Sequence, residues 1–491
     1  MRRWWLAVPL VGTLTGCATF DAAKGHDEVA SLVEARMGVQ TGWGEGAPGA
    51  EALAERVETL LADGLTAERA VAIALMNNPG LQETYASLGV SQADLLQAGL
   101  LSNPRLSIDI GIPVSPGAIV ELGGSIVQSF LDVFMLPLKR QVAQEQFLAD
   151  LQRVAHAALD TAAQVKTGLL ALQAAERRLS LHRESLAALE ADADLAQRQR
   201  NAGNINKRLL AQREVAHQQA RVDVASSELD LVVHRERLNR LLGLWGVNTQ
   251  WRLAEPLPQV PPEDPRLEQL ESLAVRQRLD LAAARHQVAL LDTGVRLART
   301  FRYVGTFDVG AHTHQDPNGP VLIGPDVTLE LPIFDQRQAV IARLESQREQ
   351  ATRRLEALAI EARSHVREAR AALLTAAASA RHLERHVLPL HQQVLDETLL
   401  QYNGMQLSLA ELVEAKRNQL QAQAAHVDAV RAYWSRFIEL ERLVGGRLAP
   451  SHPSHPSKDG DDRGGHAPVR PSSGQPPAPA QDAEEESPHV H

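Results

Sequence analysis

Metal or nucleophilic chemistry in this chain would fall to eighteen histidines and one cysteine among 491 residues. Five of the imidazoles, His452, His455, His466, His489 and His491, crowd toward the C-terminus, and His312 and His314 flank a predicted loop. Imidazole suits copper, zinc or nickel, but these spacings build no fixed tetrahedral set and no cysteine assists. The tail therefore reads either as a flexible metal trap or as a soluble extension that binds nothing. No glycine-rich phosphate loop and no zinc signature occurs, so neither an enzyme nor a cofactor is expected.

The lone cysteine has a different use. Arg2 and Arg3 precede a short apolar run, and Leu14-Thr15-Gly16-Cys17 ends it with small residues before the thiol. Such a run is too brief to cross a bilayer stably, and it matches a lipoprotein signal peptide cleaved before Cys17, which then carries the lipid. Ala18 follows where an aspartate would favour retention in the inner membrane, so an outer-membrane destination is favoured. With no second cysteine, packing and oligomerisation must supply the stability that disulfides provide elsewhere. Aromatics are only 4% of the chain, which suits close helix-to-helix contact better than a thick core, and the net charge of −10 argues against nucleic acid.

Short extended segments must position the remaining candidates. Leu106, Ile108, Ile110 and Ile112 alternate with Arg105, Ser107, Asp109 and Gly111, a period of two that predicts a strand with one apolar and one polar face. Pro113 to Gly117 makes a turn, and the chain returns from Ile119 to about Phe130. The plan recurs: Phe307, Val309 and Ala311 alternate with polar residues, a loop spans His314 to Pro320, and Val327, Leu329 and Leu331 alternate with Asp326, Thr328 and Glu330. Asp109, Glu121, Asp308, Asp326 and Glu330 fall on the polar faces. Strands of about ten residues can cross a bilayer at a tilt, but four cannot close a barrel, so several chains must pool theirs. Polar faces then line a bore, either as an acidic path favouring cations or as simple wetting.

Long helices occupy the rest. Steps of seven from Leu151 give Ala158, Val165, Leu172, Leu179, Leu186 and Ala193; steps from Leu355 give Ala362, Ala369, Ala376, Leu383 and Leu390. A seven-residue repeat held this long predicts coiled-coil packing. Residues 139–199 alone would reach roughly 90 Å at ~1.5 Å per residue. Pro389 predicts a kink in the second run. Leu136-Pro137 and Leu331-Pro332 open the two runs, Gly203 and Gly404 turn them 201 positions apart, and Leu242-Gly243 and Val444-Gly445 end the return helices. The chain is an internal duplication. Its expected organisation is a signal peptide (1–16), an N-terminal tether with little regular structure before Ala50 (17–65), a first repeat (66–266), a second repeat (267–446) and a disordered tail (447–491).

Several pieces together resemble the TolC-like outer-membrane efflux proteins. They are Ala72-Ile73-Ala74-Leu75-Met76-Asn77-Asn78-Pro79, Gln97-Ala98-Gly99-Leu100-Leu101-Ser102-Asn103-Pro104, Arg278-Leu279-Asp280-Leu281, Leu331-Pro332-Ile333-Phe334-Asp335, and Tyr402-Asn403-Gly404 leading to Leu412-Val413-Glu414-Ala415. The family's arginine-proline-aspartate-leucine motif has Leu279 in place of proline here. The resemblance implies a mainly α fold with a membrane β-barrel portion: a homotrimer with a twelve-stranded barrel in outer-membrane lipid and a twelve-helix tunnel across the periplasm.

It further implies a passive exit duct for small molecules or metal ions, working with a periplasmic adaptor and an inner-membrane transporter. The adaptor would meet the helix turns, Gly203, Asn204, Ile205 and Asn206 with Gly404, Met405, Gln406, Leu407 and Ser408, where the glycines also permit a left-handed turn. Ile205 and Leu407 are expected to be exposed there. Tyr402, Arg198 and Arg200 could close the tip or merely cap it. Rival readings are a metal-specific channel of the same architecture, the adaptor itself, or a lipid-anchored envelope scaffold. An adaptor would carry one helical hairpin, and a scaffold no spanning strands.

Overall fold

One plan used twice gives two helical hairpins and two strand pairs. The structure is a computed structural model that describes residues 23–38, 49–112, 120–265, 267–315 and 319–448. Cys17, the five tail histidines, the 113–117 turn and most of the Gly-rich stretch lie outside the described residues.

The first departure from expectation comes early. Helix α1 (Ala23–Met37) forms where little regular structure is predicted, because Val29, Val33 and Met37 recur at a spacing of four and bury one face against the body. Helix α2 (Ala50–Ala62) follows, then α3 (Ala67–Asn77), capped by Thr66, whose hydroxyl accepts from the Arg69 amide. Asn78 interrupts the helical pattern: its side chain caps α4 (Pro79–Ala98) and Pro79 takes the first helical position, where a missing N–H costs nothing.

The Asn-Asn-Pro segment also clamps the far end of the first hairpin. Asn77 Nδ2 donates to the carbonyls of Leu242 and Gly243 at 2.9 Å each, and Asn78 Nδ2 donates to Leu241 O at 2.8 Å. Gly243 is left-handed (φ 67°), and a Cβ there would sit 2.2 Å from Asn77 O, so no other residue fits. The second copy repeats the docking. After α5 (Leu131–Asn201) and α6 (Lys207–Leu242) of the first hairpin, helices α7 (Leu270–Gln277) and α8 (Leu279–Thr300) meet at Arg278, whose guanidinium forks onto Asp280 at 2.6 and 3.0 Å. Gly445 (φ 84°) packs on the Gln277 backbone there.

Strands β1 (Arg105–Gly111), β2 (Glu121–Ser129), β3 (Phe307–Gln315) and β4 (Val321–Leu329) form one antiparallel sheet in the order β1-β2-β3-β4. The β2–β3 ladder joins the two copies, leaving β1 and β4 as free edges.

The long helices continue the strands. Helix α5 (Leu131–Asn201) runs 71 residues, roughly 105 Å at ~1.5 Å per residue, and begins five residues ahead of the predicted opening, carrying Pro137 in its first turns. Its counterpart does not: Leu331 to Arg337 stays irregular, and α9 (Gln338–His382) starts only after it. A π turn (Leu383–Val387) then separates α9 from α10 (Leu388–Asn403). The Leu388 amide reaches back five residues to Leu383 O, and this extra residue carries the backbone past Pro389, which has no N–H to give. The interruption expected at Pro389 thus takes the form of a one-residue offset. Return helices are α6 (Lys207–Leu242) and α11 (Leu409–Val444).

The predicted first seam is largely buried, save Leu186, whereas on the second Leu355, Ala376 and Leu383 are only partly buried and Leu390 is 62% exposed. Leu151, Ala158, Val165, Leu172, Leu179 and Ala193 are buried on α5, and Ala362 and Ala369 on α9. Helix α5 packs on α6, α8 and α11, and α11 packs on α9. The order α6, α5, α11, α9 is thus an open layer, like the sheet. Trp251, buried in the first-copy core, donates to Asn239 Oδ1 at 2.8 Å beneath the Arg235 guanidinium. Among the described residues no helix is long and apolar enough to cross a membrane.

Candidate functional site

Register decides which side chains share a face of the sheet. Leu106 lies opposite Ile126, Ile110 opposite Leu122, Val309 opposite Val327 and Thr313 opposite Ile323, so one face is a continuous apolar band. Its residues are exposed in the single chain, Leu106 at 71% and Ile323 at 79%, which no water-facing sheet would select. On the other face, Ser107 lies opposite Ser125, Asp109 opposite Gly123, His312 between Ser125 and Gly324, and Asp326 opposite Gly310. Glycines alternate with the polar side chains, so this face has low relief. Gly310 is required by close approach: a Cβ there would lie 2.4 Å from Ile126 O.

The predicted polar residues divide on inspection. Asp109 and Asp326 stay on the open polar face. Asp308 has the register of the same face but is 8% exposed there and accepts from Arg105 Nη2 at 3.1 Å, so it ties β3 to β1 across β2. Glu330 lies past the end of β4, where its carboxylate accepts from the Thr306 amide at 3.1 Å and caps the entry to β3. Glu121 opens β2 opposite Gly111, and its side chain lies outside the described residues. His312 and His314 are in β3, not in a loop; the strand runs to Gln315, and its alternation puts both imidazoles on the face of Asp109 and Asp326.

At the opposite end of the hairpins, both turns use the same backbone hydrogen bonds one residue out of register with the glycines. Asn204 N donates to Gln199 O and Gln406 N to Gln401 O, so Gly203 (φ 82°) corresponds to Met405 (φ 59°), not to Gly404. Gly404 has an ordinary φ of −77°, so the left-handed position in the second copy is held by a methionine. Return helices start at Asn206, which accepts from the Leu209 amide, and at Ser408, which forms a capping box with Glu411. Hydrogen bonding from Ser408 holds the Glu411 carboxyl below its ordinary value. Ile205 and Leu407, expected to be exposed, are half-buried against their own hairpins, whereas Met405 is 94% exposed. Arg200 donates to Ile205 O and braces its own turn, Arg198 is exposed, and Tyr402 is half-buried.

Sequence reading missed three features. Leu390, Val394, Leu399 and Leu400 are exposed along α10, none of whose residues is buried. Val215, Val222, Leu229, Val232 and Val233 form an exposed apolar stripe on α6, and the spacing of seven among the first three was the available signal. Near the tip, Asp192 is buried on α5 with Arg213 Nε at 3.5 Å; burial raises its carboxyl, and Arg213 opposes the shift.

No family model matches the chain. It is 24% identical over 402 residues to the cobalt-zinc-cadmium resistance protein CzcC of Cupriavidus metallidurans, covering 78% of this chain and 90% of that protein. Its fold is similar to that of CusC, solved in work on folding and transmembrane channel formation, with a TM-score of 0.64, 18% identity, and coverage of 80% and 92%. It is also similar to the open state of the MtrE outer membrane channel of Neisseria gonorrhoeae, with a TM-score of 0.63, 18% identity, and coverage of 80% and 89%.

Proposed function

From the fold of a TolC-like outer-membrane efflux channel, which this chain has, we propose that it is the passive exit duct of a tripartite efflux system. One observation carries the reading: sheet and helical layer both end in unpaired edges, β1 and β4 in the sheet, α6 and α9 with α10 in the helices. The apolar stripes on α6 and α10 and the apolar band on the strands have no partner among the described residues. Backbone groups at a sheet edge cannot be left bare in hydrocarbon. Three copies pooling their strands close a twelve-stranded barrel in the outer membrane, and pooling their hairpins closes a helical tunnel below it. Cys17 carries the lipid anchor. The two repeats, 66–266 and 267–446, then give pseudo-sixfold turns to a periplasmic adaptor, through Gly203 to Asn206 and Gly404 to Ser408. An inner-membrane transporter supplies the energy.

Cargo is the finer part of the proposal. CzcC is named for cobalt, zinc and cadmium resistance, and Asp109, Asp326, His312 and His314 on the polar strand face would line the bore with groups that tolerate divalent cations. We therefore favour metal ions over organic solutes. Protein extracted in detergent should sediment as a trimer and conduct in planar bilayers, and a non-conducting monomer would overturn the duct. A deletion strain should become sensitive to zinc, cobalt or cadmium and be rescued by this chain; sensitivity to drugs alone would overturn only the cargo.

A further inference from the structure

The π turn brings together two side chains that the duct does not use. His382, the last residue of α9, and His386, inside the π turn, lie four residues apart, with ring centres 5.1 Å apart and planes tilted by 44°. Both are exposed on the flank of the second hairpin. Two imidazoles bound to one tetrahedral ion at ~2.1 Å place their ring centres roughly 5 Å apart, so this separation needs no rearrangement of the backbone. Single-turn π bulges within α-helices are frequent at functional sites, and this one holds the pair at its own boundary.

We propose that His382 and His386 form a surface site for a divalent transition-metal ion of the zinc or copper type. Neutral imidazole is the ligand these borderline ions share, and two nitrogens on adjacent turns chelate one ion. Among the described residues no group of three or more histidine, cysteine, aspartate and glutamate side chains is poised around one point, so water completes the coordination. Burial lowers the imidazole of His426 on α11, and Glu384, between the two histidines in sequence, is near enough to oppose that shift. The bound ion staples the widened turn from its exposed side. This site is separate from the strand histidines and stands whatever cargo the duct carries.

The test uses the full-length protein, stripped with chelator and titrated with zinc chloride by calorimetry. It is run beside the His382→Asn, His386→Asn and doubly substituted proteins, whose exposed positions leave the helix intact. The double variant should bind one zinc per chain fewer than the wild type, with each single variant losing the same site. Equal stoichiometry in wild type and double variant overturns the proposal. Wild-type crystals soaked in zinc give an independent measurement: an anomalous peak between the two rings supports the site, and peaks confined to other positions overturn it.

Discussion

The two copies of the repeat share a plan and differ in how tightly they are held. In the first, α5 is continuous for 71 residues and buried residues run down to Ala196 near its tip, with a glycine at the left-handed turn. In the second, a π turn breaks the run, α10 buries nothing, and a methionine holds the left-handed position. Among the described residues, the three non-glycine residues with positive φ, Gln269, Arg337 and Met405, all lie in the second copy. Each such residue costs about 1 kcal/mol or more, and strain of this kind persists where surrounding structure enforces it. One copy is therefore the fixed wall of the chain. The other keeps its strain beside the bare flank of α10, and each copy ends in an apolar edge, α6 in the first and α10 in the second, where a neighbour or a docking partner can act.

The largest test of this contrast removes the neighbour. Val222→Asp with Leu229→Asp on α6 replaces two exposed apolar side chains, each worth about 2 kcal/mol when buried in an interface, with carboxylates that are costly to bury. Circular dichroism should be unchanged while sedimentation shows loss of the trimer. A trimer that survives would mean that α6 is not an interface. Pro389→Ala comes next. With the N–H restored the π turn should close into regular α-helix, stabilising the second hairpin by up to about 3 kcal/mol, and hydrogen exchange at Leu383 to Val387 should slow. The smallest effects sit at the two turns and run in opposite directions. Gly203→Ala should destabilise by about 1 kcal/mol and Met405→Gly should stabilise by about 1 kcal/mol, read as shifts in the denaturation midpoint.

That last pair also marks what sequence could and could not reveal. The strands, both hairpins and the interruption near Pro389 were legible because period and ring constraints are local. Pairing the turns glycine to glycine gave an offset of 201, whereas backbone hydrogen bonds pair Gly203 with Met405 and Gly243 with Gly445, an offset of 202. Residue type is a poor guide when a methionine is forced into a glycine's conformation. For Asp308 and Glu330 alternation gives the face, but whether a carboxylate there meets solvent, Arg105 or the Thr306 amide depends on where the strand stops and what crosses it. Helix α1 was missed although Val29, Val33 and Met37 display its period, because the glycines that follow outweighed it.

The free strands β1 and β4 carry a consequence for biogenesis. If the strands cross a bilayer as proposed, a lone subunit has no stable way to sit there, since both margins of its sheet would present unsatisfied amides to acyl chains. On the proposed assembly, insertion must wait for, or coincide with, the meeting of three subunits. The yield of finished channels would then rise more steeply than subunit supply, and a modest cut in synthesis would leave a disproportionate shortage of pores.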